Sequence, residues 1–147
     1  MGEPTRIFTL EEANELVPTL ELEFGRVARL RDELRTLVEA LGGADASVDV
    51  LQNGAAAPPG LELEARRLKL VADDIAAAVQ RVTDLGCLVK DLDLGLVDFY
   101  AMKEGEPIFL CWQFGEPQIS HWHGMDEGFA GRRAIEGVEI ERPEFLN

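Results

Sequence analysis

The chain of 147 residues carries 28 acidic and 14 basic side chains, which gives a formal net charge of −14 at pH 7. Its 46% of hydrophobic and 29% of charged residues are typical of a folded globular protein and exclude the disordered and fibrous classes. We expect no nucleic-acid partner, because so acidic a chain repels phosphate, and no membrane span, because no window approaches the ~18–20 apolar residues that cross a bilayer.

The first predicted element is a long helix over residues 10–41. Thr9 and Glu12 have the spacing of a capping box, in which each side chain bonds the backbone amide of the other. Pro18 has no amide hydrogen to offer the Asn14 carbonyl, so we expect a kink or break close to this proline. Apolar residues recur at steps of three or four, as one stripe along a helix does: Leu10, Ala13, Val17, Leu20, Phe24, Val27, Leu30, Leu34, Leu37 and Leu41.

The second predicted helix covers residues 61–85. It is separated from the first by residues 42–60, a Gly-, Pro- and Ala-rich stretch that predicts a flexible loop. Two long helices joined by a loop predict an antiparallel helical hairpin. Apolar residues outside the seams leave surface that either the C-terminal part or another subunit must cover, and we expect a homodimer through the hairpin. The seam residues of the second helix step alternately by four and three, a heptad pattern: Leu61, Ala65, Leu68, Ala72, Ile75, Val79 and Val82.

From residue 87 the hydrophobic period changes to two, which predicts a small antiparallel β-sheet built of hairpins. After His123 we expect a Gly-rich loop through Gly131 and a short tail. The predicted fold class is therefore α+β, with a helical hairpin over residues 1–86 and a sheet with its C-terminal loop over 87–147, packed as one unit. The predicted strands are Cys87–Lys90, Leu96–Tyr100, Ile108–Phe114 and Ile119–His123.

Several motifs together carry a family resemblance. Near the N-terminus they are Phe8-Thr9, Glu12-Ala13-Asn14 and Pro18; further along they are Val89-Lys90-Asp91, Gly95-Leu96-Val97-Asp98-Phe99, Cys111-Trp112, Gly115-Glu116, Trp122-His123 and Gly128-Phe129-Ala130-Gly131-Arg132-Arg133. On these residues the chain resembles a family of uncharacterised bacterial proteins, domain of unknown function 2203. The resemblance implies a bacterial, cytoplasmic protein, in agreement with an N-terminus that lacks signal-peptide features. Because the family has no established activity, the resemblance implies no catalytic residue.

The two histidines of the chain, His121 and His123, predict a metal site. Residues two apart on a strand point to one face, so both imidazoles lie at a spacing suited to one ion. Asp126 and Glu127 follow in the loop and could add oxygen ligands. Nitrogen ligands favour zinc or iron over calcium. The alternative is that both histidines are ordinary strand residues packed beside tryptophan.

The place of Cys111 depends on the register of its hairpin. If Phe114 pairs with Ile119, Cys111 lies on the face opposite to both histidines. A slip of one residue brings Cys111 beside His121 instead. Both registers are open at this point.

A second acidic group precedes the strand that contains Asp98. Asp91, Asp93 and Gly95 stand at alternate positions, and with Asp98 they match half of a calcium loop, although the later ligands of such a loop are missing. Asp and Gly are equally what a hairpin turn requires, and we favour the turn.

Aromatic and charged residues around the last predicted hairpin suggest a ligand or partner pocket. Trp112, Glu116, Trp122, His123 and Arg132 are close in sequence, and the tryptophans could form an aromatic floor. The alternative places both tryptophans in the core and pairs Arg132 with a nearby carboxylate.

The sequence contains none of the nucleophile-elbow, phosphate-loop, dinucleotide or Cys-x-x-Cys motifs, which lowers the expectation of an enzyme. We therefore favour a non-enzymatic, self-associating protein that binds a protein or small-molecule partner. The alternative is a metal-binding protein, and within that class a metal-dependent hydrolase, that uses the strand with His121 and His123.

Overall fold

The structure is a computed structural model that describes residues 6–137 and 140. In this part of the chain, helices precede an antiparallel sheet, so the α+β class is confirmed. None of the described helices has both the length and the hydropathy needed to cross a bilayer. The elements are α1 (Leu10–Glu15), α2 (Val17–Ala40), α3 (Ala44–Gln52), α4 (Glu62–Asp84), β1 (Leu88–Asp91), β2 (Leu96–Lys103), β3 (Glu106–Gln113), β4 (His121–Gly124) and β5 (Arg133–Ala134).

The first helix starts at the predicted capping box and breaks where the proline predicts. The Glu12 amide donates to the Thr9 hydroxyl at 3.0 Å, and the Thr9 amide donates to the Glu12 carboxylate at 2.8 Å. The break is at Leu16, between α1 and α2, and Pro18 is the second residue of α2. Proline is tolerated in the first turn of a helix, where the amide has no partner within the helix.

The segment 42–60 contains a helix that the sequence analysis does not predict. Ala44–Gln52 forms α3, in place of a connection without regular structure. Gly42 and Gly43 have φ angles of 102° and 108°, and turn the chain between α2 and α3. The Ser47 hydroxyl donates to the Gly43 carbonyl at 2.8 Å and closes the first turn of α3. The small residues of this segment predict a loop, but they include alanine, which is the strongest helix former.

The strands lie in the order β1-β2-β3-β4-β5, so each strand pairs with its neighbours in the chain. The four predicted strands are present with shifted ends. The fifth strand, β5, lies where a loop and tail are predicted, and it pairs Arg133 with Trp122 and Ala134 with His121. A strand of two residues is too short to show the alternation of polar and apolar residues that predicts a strand.

The observed register between β3 and β4 decides between the two pairings that the sequence leaves open for Cys111. Cys111 pairs with His121, so the pairing of Phe114 with Ile119 is wrong and the register slipped by one residue is the observed one. In the turn after β3, the Gln113 amide donates to the Glu116 carboxylate at 2.6 Å, so this amide is not available to pair with β4.

One face of the sheet is covered by helical residues and holds the core. The Phe8 amide donates to the Tyr100 carbonyl at 2.8 Å, and the Ile119 amide donates to the Asn14 side-chain oxygen at 2.7 Å, so the N-terminal segment is bonded to the strand region at two points. The buried residues of this cluster are Phe8, Ala13, Val17, Leu20, Phe24, Val82, Cys87, Val97, Phe99, Ala101, Ile108, Leu110, Trp112, Ile119 and Ile135.

The chain divides into two compact units. One unit comprises the chain up to Phe24 and again from Arg81, and the other comprises Gly25–Gln80. In the first unit, the start of α2 and the end of α4 share the buried cluster of the strands. In the second unit, the Arg67 guanidinium donates to both carboxylate oxygens of Glu33.

Candidate functional site

Three side chains of metal-ligand type come from three adjacent strands. Asp98 on β2 pairs with Cys111 on β3, and Cys111 pairs with His121 on β4. Because residues two apart on a strand share a face, His123 lies on the same face as Cys111. This face is opposite to the one that carries the core residues Leu110 and Trp112. We refer to Asp98, Cys111 and His123 as the trio.

The trio is buried and closely spaced. The exposed fractions of Asp98, Cys111 and His123 are 3%, 1% and 2%. His123 Nε2 lies 3.0 Å from Asp98 Oδ2 and 3.1 Å from Oδ1. One ligand atom from each of the three residues lies within 4.8 Å of the other two. His123 Nδ1 lies 2.9 Å from the carbonyl oxygen of Gly124, which orients the imidazole.

The Cys111 thiol is protonated in this arrangement. Burial, the main cause, together with the adjacent Asp98 carboxylate raises its pKa to about 12, against the opposing effect of Arg132. Loss of the thiol proton would place a second negative charge beside Asp98 in a buried site. A bare Cys111 is therefore no nucleophile near neutral pH, whereas a bound cation would favour the thiolate.

The loop after β4 is held in place by Glu127. Glu127 accepts hydrogen bonds from the Gly124 amide and from Arg133, each at 2.8 Å, and the amide is the main cause of its lowered pKa. At Gly131 the loop passes so close that a Cβ atom would lie 2.9 Å from the Glu127 Cβ. Glu127, predicted as a ligand, instead braces the loop.

The structure does not bring the four predicted metal ligands together. Of His121, His123, Asp126 and Glu127, only His123 belongs to the trio. His121 shares its face, but its Nδ1 lies 3.1 Å from the Ser120 hydroxyl and its side chain is 35% exposed. Asp126 is exposed.

Asp98 is the residue that the sequence analysis does not identify as a partner of the histidines. Its neighbours on β2, Val97 and Phe99, are fully buried. A single carboxylate within an otherwise apolar strand is the signal that could have identified it, because buried charges need a partner.

The structure places the five residues of the predicted pocket on both faces of the sheet. Trp112 is fully buried in the core, and its Nε1 donates to the Glu116 carbonyl at 3.0 Å. Arg132 donates to both Glu116 carboxylate oxygens at 2.7 and 2.9 Å, as the alternative interpretation expects. Trp122 is on the face of Trp112, whereas His123 is on the other face, so the sheet separates them.

A small cavity of about 140 Å³ adjoins the trio. All three residues of the trio line it, as do two aromatic rings, Phe109 and Phe129. The Phe109 ring also packs against the His123 ring, with 5.4 Å between the two centroids. The arrangement therefore offers one carboxylate, one thiol and one imidazole to whatever occupies this cavity.

Residues 6–135 match the family described as an uncharacterised conserved protein, DUF2203. The matched span contains the whole trio and the loop that covers it. No curated protein and no solved structure matches the chain.

Proposed function

The chain belongs to the DUF2203 family of uncharacterised conserved proteins, and we propose that it is a metal-binding protein in which Asp98, Cys111 and His123 hold one divalent ion. The observation that carries this proposal is the burial of three ligand-type side chains with ligand atoms within 4.8 Å of one another. Exposed acidic clusters are common in proteins, but a buried carboxylate, thiol and imidazole in contact are not.

The donor set favours zinc. Thiolate, imidazole and carboxylate are the three ligand types of zinc, and tetrahedral bonds of ~2.0–2.3 Å space ligand atoms roughly 3.3–3.7 Å apart. Iron is the second candidate, because it also accepts thiolate and imidazole. The contact of His123 Nδ1 with the Gly124 carbonyl supports the proposal, since histidine ligands typically donate their second ring N–H to such an acceptor.

Three protein ligands leave one coordination position open. Zinc sites with three protein ligands are characteristically catalytic, and they activate a water molecule in the fourth position. The cavity beside the trio gives that position space. The reaction class that these features support is metal-dependent hydrolysis, with the ion held by the trio and Glu127 bracing the loop.

The test is a zinc titration of tag-free protein stripped with a chelator. We expect one zinc ion per chain for the wild type. Cys111→Ser should lower the zinc affinity by on the order of 100-fold, because loss of a ligand costs at least as much as loss of its supporting residues. His121→Ala is the matched control, since it removes the neighbouring imidazole and leaves the trio intact.

Two results would contradict the metal site. One is a wild-type protein that takes up neither zinc nor iron. The other is equal loss of zinc in Cys111→Ser and His121→Ala, which would assign binding to the surface histidine. In the first case the trio is a hydrogen-bonded structural network.

We also propose self-association as a second candidate function, through the unit Gly25–Gln80. Leu63 and Leu70 on α4 are 72% and 55% exposed, and they lie seven residues apart, on one side of the helix. Leu70 also lines an open, mainly apolar pocket of about 610 Å³. A second copy of the chain is the partner that would cover these residues.

The hairpin that would carry this association is part of the same proposal. Within this unit, the bidentate ion pair between Glu33 on α2 and Arg67 on α4 supports a side-by-side arrangement of the two helices. Mass measured by light scattering tests it. We expect twice 16.2 kDa for the wild type and 16.2 kDa for Leu63→Ser/Leu70→Ser. Leu94→Ser, at an exposed leucine in the turn before β2, is the control, and a monomeric wild type would contradict the proposal.

A further inference from the structure

The cavity beside the trio is small, and apolar as well as charged side chains line it. Its volume of about 140 Å³ holds roughly five groups of the size of a water molecule. Phe109 and Phe129 line it together with the three residues of the trio. A ligand that fits therefore has about five non-hydrogen atoms and a short apolar body.

Lys90 brings a positive charge to this cavity by means of a β-bulge. The register of β1 on β2 passes from Val89 opposite Val97 to Asp91 opposite Leu96, which leaves Lys90 as the extra residue. A bulge re-aims the side chain that it carries, and bulges are frequent beside active sites. Lys90 lines the cavity, and its Nζ lies 5.0 Å from the centroid of the Phe109 ring.

Lys90 differs from the cations that follow β4. Arg132 is paired with Glu116, and Arg133 is paired with Glu127. Within residues 6–137 and 140, Lys90 has no carboxylate partner. The other wall carboxylate, Glu127, is neutralised by Arg133, so an anion at Lys90 meets no unpaired negative charge there.

We propose that this cavity binds a short-chain carboxylate of two to four carbons, whose carboxylate pairs with Lys90 while its apolar body lies against Phe109 and Phe129. The inference rests on the proposed function, because a divalent ion is needed to offset the negative charges of Asp98 and the Cys111 thiolate. A carboxylate entering the metal-free site would meet the Asp98 charge at close range. The site thus selects a small anion in a protein whose net charge of −14 disfavours anions elsewhere.

The experiment is a calorimetric titration of the zinc-loaded protein with propionate and with propionamide, its neutral counterpart of the same size. The wild type should bind propionate at one site, and propionamide about tenfold or more weakly, because charge-assisted hydrogen bonds are the stronger ones. Lys90→Met should lower the propionate affinity by about the same factor and leave the zinc affinity unchanged. Lys103→Met is the matched control, because Lys103 lies on the same sheet but contacts Glu104 and the Trp122 ring instead.

The outcomes separate the two proposals. Failure of the wild type to take up metal overturns the proposed function and this inference together. Zinc uptake with equal binding of propionate and propionamide, or with no effect of Lys90→Met, overturns this inference alone. Zinc uptake with charge-dependent binding that Lys90→Met weakens and Lys103→Met does not supports both.

Discussion

The imidazole of His123 extends across β3 to the carboxylate of Asp98, with Nε2 3.0 Å from Oδ2. The two residues come from β4 and β2, which are not neighbours in the sheet, and Cys111 lies on the strand between them. Both nitrogens of the ring face acceptors, since Nδ1 lies 2.9 Å from the Gly124 carbonyl. A contact between non-adjacent strands is thus the centre of the candidate site.

This contact should stabilise the metal-free protein. Removing one partner of a buried pair costs about 3–5 kcal/mol, because the other partner stays buried without compensation. We expect Asp98→Ala and His123→Ala each to lower the free energy of unfolding by about this amount, and the double variant to lose less than the sum. Urea unfolding of the four proteins measures it, and strict additivity would show that the pair does not interact.

The close approach of Gly131 to Glu127 can be tested by comparing two glycine variants of the same loop. Gly131→Ala should displace Glu127, whose Cβ would lie 2.9 Å from the new methyl group, and cost about 1–3 kcal/mol of stability. Gly128→Ala should change stability by less than about 0.5 kcal/mol, because nothing lies within 4 Å of its Cβ position. Thermal unfolding of both compares them. Equal losses would mean that the contact with Glu127 does not hold the loop.

The side chain of Asn14 should contribute to stability through one hydrogen bond. Its Oδ1 accepts from the amide of the buried residue Ile119 at 2.7 Å. Asn14→Ala leaves that amide without a partner and should cost about 1–3 kcal/mol, whereas Asn14→Asp keeps an acceptor and should cost less. Hydrogen exchange of the Ile119 amide gives a direct readout. Unchanged protection in Asn14→Ala would contradict the account.

The raised pKa of the Cys87 thiol predicts that the protein loses stability at alkaline pH. Burial raises the pKa of its thiol from 9.0 to about 11. Between these values the unfolded chain loses the proton and the folded protein keeps it, so unfolding becomes more favourable as the pH rises. Cys87→Ala lacks this group, so the stability advantage of the wild type over the variant should shrink from pH 9 to 11. A constant difference over this interval would contradict the raised pKa.

Local features of the fold could be predicted, and long-range ones could not. The Thr9–Glu12 capping box and the break before Pro18 depend on residues within one or two turns, and both are present. The β3–β4 register depends on pairing along the whole length of the two strands, and local residue spacing left two registers open. Helix α3 is not predictable from composition, because Gly and Pro in segment 42–60 favour a loop while its alanines favour a helix.

The candidate site could be predicted only in part for the same reason. His123 was visible because it lies two residues from His121, and that spacing is local. Its partner Asp98 is 25 residues away, and it comes within reach only through the register of three strands. The position of Cys111 follows the same register. A residue pattern alone therefore identified one member of the trio and its strand, but not the set.

The most direct test of the metal site is the absorption spectrum of the cobalt-substituted protein. Co²⁺ adopts tetrahedral sites built for zinc, and a bound thiolate gives it a charge-transfer band that oxygen and nitrogen ligands do not. We predict that wild type and His121→Ala both show this band at one cobalt per chain, and that Cys111→Ser loses it. A cobalt spectrum without the thiolate band in the wild type, or a band that survives in Cys111→Ser, would contradict a metal site formed by Asp98, Cys111 and His123.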